Sequence, residues 1–175
     1  TKYGAIIPFI RPKKLATDTS PEYLSWKHAI KTCEILYKKK IDIFVSLPTT
    51  SPLRKDEDIK KSLNFFIKNR NKYDMLVSTT KTNHLPGFNI VKVLKDGTFK
   101  LEGGTKKKIF RRQQVKNVHN LSTCFYYANR DYINKCKINP LFTGKKYAYL
   151  VDKKNAIDID DKLDLDIAEF LLKKK

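Results

Sequence analysis

The chain has 175 residues, 41% of them apolar and 11% aromatic, and carries a formal net charge of +19. This composition suffices for one hydrophobic core, so we expect a single domain over residues 1–175. No apolar run approaches the roughly 18 residues needed to cross a bilayer, and no secretory pattern opens the chain. The three cysteines show no metal-binding spacing, which favours reduced thiols in a soluble, cytoplasmic protein.

The positive charge comes from 37 lysine and arginine residues against 18 acidic ones. Such an excess is one signature of nucleic-acid binding. Here the basic residues are scattered along the chain, and no helix-turn-helix or zinc-finger pattern accompanies them. A positive field also suits anionic small substrates, so a nucleic-acid-binding module is the less favoured alternative.

The first half of the chain alternates between strand and helix patterns. Apolar strands are predicted over Tyr3–Ile10, Ile41–Leu47 and Tyr73–Thr79. Between them, residues 20–40 have the pattern of a helix with Ser20 as N-cap and Pro21 in its first turn, and residues 56–69 that of a second helix. Strands that alternate with amphipathic helices imply parallel neighbours joined by right-handed crossovers. We therefore expect an α/β sandwich with a mainly parallel sheet.

The segment between residues 84 and 120 interrupts this alternation. Strand-like residues flank Asp96-Gly97, which is a strong signal for a β-hairpin. Leu121–Asn129 then returns to the pattern of a buried strand. We expect residues 84–120 to project from the sheet as a lid or a dimer arm.

A dense acidic stretch, AIDIDDKLDLDIAEF, covers Ala156–Phe170. Two isoleucines alternate with Asp158 and Asp160, so a strand here places both carboxylates on the same face, roughly 7 Å apart. From residue 161 onward the apolar residues follow a helical period, with Asp160 or Asp161 as the helix cap. The two carboxylates are therefore expected at the carboxyl end of a strand, where open α/β sheets bind ligands.

Three interpretations of the acidic stretch compete. An EF-hand calcium loop is excluded, because Lys162 stands where a ligand is needed and Leu163 where the obligatory glycine would be. Acids that cap a helix and face water are the ordinary structural explanation. A site for a hard cation is the third interpretation, since Mg²⁺ takes one or two carboxylates together with waters and substrate phosphates. The pattern alone leaves the last two open.

Four segments, in their order and spacing, resemble the acylneuraminate cytidylyltransferases, also called CMP-sialic acid synthetases. They are IRPKKLATDTSPE (10–22), LPTTSPLRKDEDI (47–59), RRQQ (111–114) and the acidic stretch, with TSPLR and AIDID the most specific elements. The resemblance implies a three-layer, nucleotide-diphospho-sugar transferase-like fold. It also implies transfer of CMP from CTP to the anomeric hydroxyl of an acidic keto-sugar, with release of pyrophosphate. Mg²⁺ would be held by Asp158 and Asp160, the implied catalytic carboxylates.

The same resemblance assigns the remaining site residues. Those that match the nucleotide pocket are Arg11, Asp18, Thr19 and Ser20. Those that match the sugar pocket are Thr50, Ser51, Arg54, Arg112, Gln113, Tyr126 and Phe142. Residues of these kinds also have ordinary structural roles, because Thr-Ser-Pro is a good turn, arginines in basic runs are usually solvated and aromatic side chains commonly pack in cores.

Two departures from the family pattern leave the sugar open. The sequence Leu47-Pro48-Thr49-Thr50 replaces Leu-Gln-Pro-Thr, so the sugar-contacting glutamine is absent, and Leu121-Ser122-Thr123 replaces the usual Asn-Gly. Legionaminic, pseudaminic or another nonulosonic acid is therefore as good a candidate as N-acetylneuraminate.

The family's glycine-containing loop, which wraps the CTP phosphates, has no counterpart before Tyr3. We therefore expect the chain to lack an N-terminal phosphate-binding segment and to have negligible synthetase activity by itself. A catalytically inactive relative, kept for binding or assembly, is the alternative. The resemblance further implies a homodimer in which the arm at 84–120 crosses a two-fold axis and Arg112 serves the sugar site of the other subunit.

Overall fold

A computed structural model describes residues 2–103, 110–114 and 117–174. The described residues form four α-helices, α1 (Glu22–Tyr37), α2 (Asp56–Asn69), α3 (Arg130–Lys135) and α4 (Lys162–Lys173). They also form six strands, β1 (Ile43–Ser46), β2 (Met75–Lys81), β3 (Val91–Val93), β4 (Phe99–Leu101), β5 (His119–Asn129) and β6 (Lys146–Leu150). Within these ranges, no helix combines the length and the apolarity that a membrane span requires.

The main sheet has four strands in the order β1-β5-β2-β6. β2 and β6 are parallel, whereas β5 runs antiparallel to both of its neighbours, β1 and β2. The reversal follows from the insertion, since β5 starts with His119 opposite Lys81, the last residue of β2. The predicted α/β class is confirmed. The sheet is mixed, with β1, β2 and β6 pointing one way and β5 pointing back.

Helices cover both faces of this sheet, which makes a three-layer sandwich. On one face α1 and α3 pack against β2 and β5 in a cluster that includes Trp26, Ile30 and Ile133. On the other face α2 packs against β2 and β5 in a cluster that includes Phe66 and Tyr127. Ile133, Phe66 and Tyr127 are 0% exposed, so each transfers a whole apolar side chain out of water.

The predicted strand over Tyr3–Ile10 is wrong. These residues form no strand, and the side chains of Tyr3, Ile6 and Ile10 are 89%, 81% and 89% exposed. A strand needs a neighbour that satisfies its backbone N–H and C=O groups, and the order of the described sheet places none beside this segment. Phe9 instead packs its ring edge-on against His28 of α1, with 5.2 Å between the ring centroids.

Three local features also differ from the sequence prediction. The N-cap of α1 is Pro21 rather than Ser20, and no side chain caps the helix, because the backbone N–H of Ser20 already donates to the Thr17 carbonyl at 3.1 Å and forms a separate turn. Helix α3 and strand β6 were not predicted at all. Both are short, at six and five residues, and such short elements carry little periodicity.

β3 and β4 form a separate two-stranded antiparallel sheet, which confirms the predicted hairpin. Gly97 in its turn has a φ of 83°, a conformation that favours glycine. The cross-strand pairs Val91–Leu101 and Val93–Phe99 share one face, and each of the four side chains is at least 44% exposed. A two-stranded hairpin is only marginally stable by itself in water, and this one carries an uncovered apolar face.

Replacing Phe66 by alanine should lower the free energy of unfolding by about 3–5 kcal/mol, because it empties a fully buried aromatic position. Urea denaturation followed by circular dichroism measures the change. The control is Ile67→Ala on the same helix. Ile67 is 48% exposed, so its replacement should lower the free energy of unfolding by only about 1 kcal/mol. Equal losses for the two variants would contradict the orientation of α2.

Candidate active site

The acidic segment that carries Asp158 and Asp160 is not a strand, which corrects the sequence prediction. Residues 156–160 follow a 3₁₀ turn at Lys153–Asn155 and have no regular secondary structure. One backbone hydrogen bond fastens the segment, from the N–H of Ile159 to the carbonyl of Thr50 at 2.8 Å. The segment therefore lies against the turn that follows β1, without joining the sheet as a ladder strand.

The carboxylates after this segment are used by helix α4. Asp161 is the N-cap: its Oδ1 accepts from the N–H of Asp164 at 3.0 Å, and Oδ2 of Asp164 accepts from the N–H of Asp161 at 3.3 Å. This reciprocal pair is a capping box. The same Oδ2 of Asp164 also accepts from the N–H of Asp160 at 3.1 Å. The capping role predicted for this region is confirmed at Asp161.

Asp158 has no such structural use. Its Oδ1 is buried and has no hydrogen-bond partner among the described residues, although the residue as a whole is half-buried. A buried carboxylate oxygen without a partner loses its hydration with no compensation. A cation at this oxygen would remove that cost, so the donor chemistry fits a hard metal ion.

The number of protein ligands also fits Mg²⁺ rather than a closed metal site. Among the described residues, no three His, Cys, Asp or Glu side chains come together in a metal-binding group. Mg²⁺ typically uses one or two carboxylates and completes its shell with water and substrate phosphates. Asp160, whose side chain is exposed, is the second carboxylate of this segment.

The TSPLR turn is built largely from its own side chains. Ser51 is 0% exposed, and its hydroxyl lies 2.6 Å from that of Thr123 on β5. The Arg54 guanidinium donates to the carbonyls of Ser51 (2.8 Å), Cys124 (2.9 Å) and Pro48. Burial lowers the pKa of Arg54 from its ordinary value. In this structure Ser51 and Arg54 therefore brace the turn, and the sugar contact assigned to them stays a prediction.

Tyr126 of β5 lies beside this turn. Its register partners are Ser46, the last residue of β1, and Val77 of β2. Burial is the main cause that raises the pKa of Tyr126 to about 12, and the negative charges of Glu22 and Asp158 contribute. Tyr126 therefore stays protonated at neutral pH, within the electrostatic reach of Asp158. The structure brings Tyr126, Asp158 and the TSPLR turn together at the carboxyl end of β1.

A groove of about 460 Å³ opens on the same face of the sheet as Tyr126. Its lining is mainly apolar and includes Val77, Leu121 and Leu141, with Thr79 and Lys146 among its polar members. Val77, which lines the groove, is the register partner of Tyr126. Phe142, another predicted sugar residue, follows Leu141 in the chain and is 77% exposed. Neither Tyr126 nor Asp158 is among the residues that line the groove.

The remaining predicted residues lie on the surface. Arg11, Asp18 and Thr19 are exposed and Ser20 is half-buried, all in the segment that precedes α1. Gln113 is exposed in a 3₁₀ turn at Arg112–Gln114, whereas the side chain of Arg112 lies outside the described part of the chain. Their assignments to nucleotide and sugar stay predictions.

Two residues near Tyr126 were missed by the sequence interpretation. Trp26 of α1 packs on Tyr126 with 6.0 Å between the ring centroids, and Glu22 lies one helical turn before Trp26. The spacing of Glu22 and Trp26, four residues apart, places them on one helix face. This spacing was visible in the sequence, but nothing in the sequence places that face against β5.

Comparisons with known proteins give several relatives of this chain. No family model matches the sequence. The chain is similar to the Post-translational flagellin modification protein B of Campylobacter coli (29% identical), the N-acylneuraminate cytidylyltransferase of Escherichia coli (27%) and the CMP-N,N′-diacetyllegionaminic acid synthase of Campylobacter jejuni (28%). Each similarity covers 99% of this chain. These similarities support the resemblance of this chain to the acylneuraminate cytidylyltransferases.

The extent of the match differs among these relatives. The chain spans 71% of each Campylobacter protein and 40% of the Escherichia coli enzyme. Among solved structures, it is similar to the 4-diphosphocytidyl-2C-methyl-D-erythritol synthase of Anaerococcus prevotii, with a TM-score of 0.57 and 13% sequence identity over 89% of this chain and 68% of that one. That likeness confirms the nucleotidyltransferase-like fold.

Replacing Arg54 by lysine should destabilise the protein by about 1–3 kcal/mol, because an ammonium cannot reach three carbonyls with the planar fork of a guanidinium. Thermal unfolding followed by circular dichroism measures the loss. Lys55→Arg, at the exposed neighbouring position, is the matched control and should change stability by less than about 0.5 kcal/mol. Unchanged stability of Arg54→Lys would show that the turn does not depend on the guanidinium.

Proposed function

We propose that this protein is the catalytic part of a cytidylyltransferase that transfers CMP from CTP to the anomeric hydroxyl of a nonulosonic acid and releases pyrophosphate. The observation that carries the proposal is the buried, unpartnered Oδ1 of Asp158. It lies beside Tyr126 and the TSPLR turn in a chain similar throughout to N-acylneuraminate and legionaminate cytidylyltransferases.

Asp158 and Asp160 would hold Mg²⁺, which when bound neutralises phosphate charge and orients the reacting groups. The protein's own contribution is mainly placement. The bond from Ile159 to Thr50 fixes Asp158 next to the end of β1, and the protonated phenol of Tyr126 offers a neutral hydrogen-bond donor beside it. Positioning of this kind supplies much of the rate enhancement in phosphoryl transfer.

The two substrates have separate candidate regions. The groove of about 460 Å³ is mainly apolar and suits the acylated end of an acidic keto-sugar, with Phe142 at its edge. The loop that carries Arg11, Asp18, Thr19 and Ser20 precedes α1, the helix that packs on Tyr126, and is the proposed contact for the nucleotide of CTP. Arg112 and Gln113 are proposed to meet the sugar carboxylate, since a guanidinium binds a carboxylate through two hydrogen bonds.

We keep as proposals that this chain alone has negligible synthetase activity and that it acts in the cytoplasm. The alternative functions are an inactive relative that retains binding and, from the net charge of +19, a basic nucleic-acid-binding module. Binding of CTP tests these alternatives without depending on turnover. Two calorimetric titrations of the protein, one with CTP and Mg²⁺ and one with single-stranded RNA, separate these classes.

Replacing Asp160 or Asp158 by asparagine should remove the Mg²⁺-dependent part of CTP binding, because the amide keeps the shape but loses the charge that the cation needs. Asp166→Asn is the matched control, since Asp166 lies on α4 and pairs with Lys162 at 2.9 Å. Its CTP binding should equal that of the unmodified protein. Tight RNA binding without any Mg²⁺-dependent CTP heat would refute the proposed function.

We further propose that the hairpin of β3 and β4 is a dimer arm whose occupant is a second copy of this chain. The support is its uncovered apolar face of Val91, Val93, Phe99 and Leu101 and the marginal stability of an isolated hairpin. Exposed apolar patches of this kind mark interaction surfaces. That the arm over 84–120 projects from a single domain over residues 1–175 stays a proposal, and residues 104–109 and 115–116 of the arm lie outside the described part of the chain.

Light scattering at micromolar concentration should find a dimer, and Phe99→Lys should convert it to a monomer with an unchanged circular dichroism spectrum. The charge would otherwise be buried without a partner in the interface. Lys100→Glu, on the opposite face of the same strand, is the control and should leave the dimer intact. A monomeric unmodified protein would contradict the proposal that the hairpin is a dimer arm.

A further inference from the structure

Three side chains link the start of α1 to the candidate active site. The indole N–H of Trp26 donates to Oε1 of Glu22 at 3.1 Å. Trp26 is 7% exposed, and its ring packs on Tyr126 with 6.0 Å between centroids and on Phe44 of β1 with 5.4 Å. Tyr126 in turn is the register partner of Ser46, the last residue of β1. The turn after β1 holds the segment of Asp158, because the N–H of Ile159 donates to the Thr50 carbonyl at 2.8 Å.

We propose that Glu22 is a positioning residue for the active site, which holds Trp26 in the orientation that places the Tyr126 phenol beside Asp158. The effect of Glu22 on sugar binding rests on the proposed function. The effect of Glu22 on the orientation of Trp26 is independent of that function.

The indole needs such a partner. A buried Trp N–H normally finds a hydrogen-bond acceptor, and the carboxylate of Glu22 is the acceptor that the structure provides. A bond to a charged acceptor is stronger than one to a neutral acceptor. Phe44 and Tyr126 both pack on the indole, with interplanar angles of 33° and 35°, and the bond to Glu22 fixes the direction of its N–H.

The position of Glu22 on the helix suits this role. It is the first residue of α1, where the helix dipole favours a negative charge. A helix-capping effect alone would explain an acid here, but it would not orient Trp26. Tyr126 contacts Trp26 directly, so the orientation of the indole that Glu22 holds bears on the position of the phenol.

Trp26 is the single tryptophan of the chain, so its fluorescence reports the contact directly. Glu22→Ala should shift the Trp26 emission to longer wavelength and increase its quenching by acrylamide, because the freed indole reaches water. Glu22→Gln keeps an acceptor oxygen and should restore emission close to that of the unmodified protein. Glu57→Ala, at the first turn of α2 where Glu57 pairs with Lys61 at 3.6 Å, removes an equivalent helix-start acid and should leave the emission unchanged.

Sugar binding is the second readout, with N-acetylneuraminate and Mg²⁺ as the probe in calorimetry. Glu22→Ala should weaken binding about tenfold, or roughly 1.4 kcal/mol, while CTP affinity is unchanged and Glu22→Gln restores sugar affinity. In a Trp26→Phe background, which removes the N–H, Glu22→Ala should cause no further loss.

Unchanged Trp26 emission in Glu22→Ala would overturn the positioning role, whatever the sugar titration gives. An altered emission with no binding of N-acetylneuraminate by the unmodified protein would support the positioning of Trp26 and exclude N-acetylneuraminate as the sugar. An additive loss in the Trp26→Phe background would show that Glu22 acts on the site by another route and would overturn the inference.

Discussion

The turn after β1 depends on the three backbone carbonyls that the Arg54 guanidinium binds. They belong to Pro48 and Ser51 at the two ends of the turn and to Cys124 on β5, so one side chain ties the turn to the sheet. With the turn held in this shape, the carbonyl of Thr50 between its ends accepts the N–H of Ile159. Charge-assisted hydrogen bonds contribute about 1.5–3 kcal/mol each, which offsets the cost of burying the guanidinium. The position of Asp158 follows from this arrangement.

The charges at the two ends of the sheet are arranged differently. At the amino ends of β1 and β2, a polar cleft of about 410 Å³ is lined by arginines that are already paired. There Arg130 binds Glu34 through two hydrogen bonds of 2.9 and 2.7 Å, which holds the pKa of Glu34 below its ordinary value. At the carboxyl end of β1, Asp158 keeps a buried oxygen without a partner. In a chain with a net charge of +19, a local excess of unpaired carboxylate marks the end of the sheet where a cation is expected.

The sequence predicted most of the central elements because their signals are local. The acids of the first turn of α2, the Asp96-Gly97 turn and the apolar run of β5 each depend on neighbours within one element. The strand at Tyr3–Ile10 and the strand at residues 156–160 failed for a shared reason. An apolar or alternating pattern indicates that a segment is compatible with a strand. A strand also needs a pairing partner elsewhere in the chain, and the periodicity of one segment does not identify that partner.

In the candidate site, too, only the features with a local signal could be predicted from the sequence. The Asp161 cap was recognised from residue type and spacing. The metal role of Asp158 came from the resemblance and stays a prediction. The bracing role of Arg54 and Ser51, and the path from Glu22 through Trp26 to Tyr126, depend on contacts between residues 70 or more positions apart in the chain. Such contacts are set by the packing of α1 and the turn against β5, which no local pattern encodes.

The central claim is that Asp158 holds the metal ion of a CMP-transfer site. Anomalous X-ray scattering from crystals grown with CTP and Mn²⁺, used in place of Mg²⁺, locates the ion directly. The account predicts a Mn²⁺ peak at coordination distance from Oδ1 of Asp158, with the triphosphate on its other side and the peak lost in Asp158→Asn. A CTP molecule bound elsewhere on the chain, or Mn²⁺ bound away from Asp158, would contradict it.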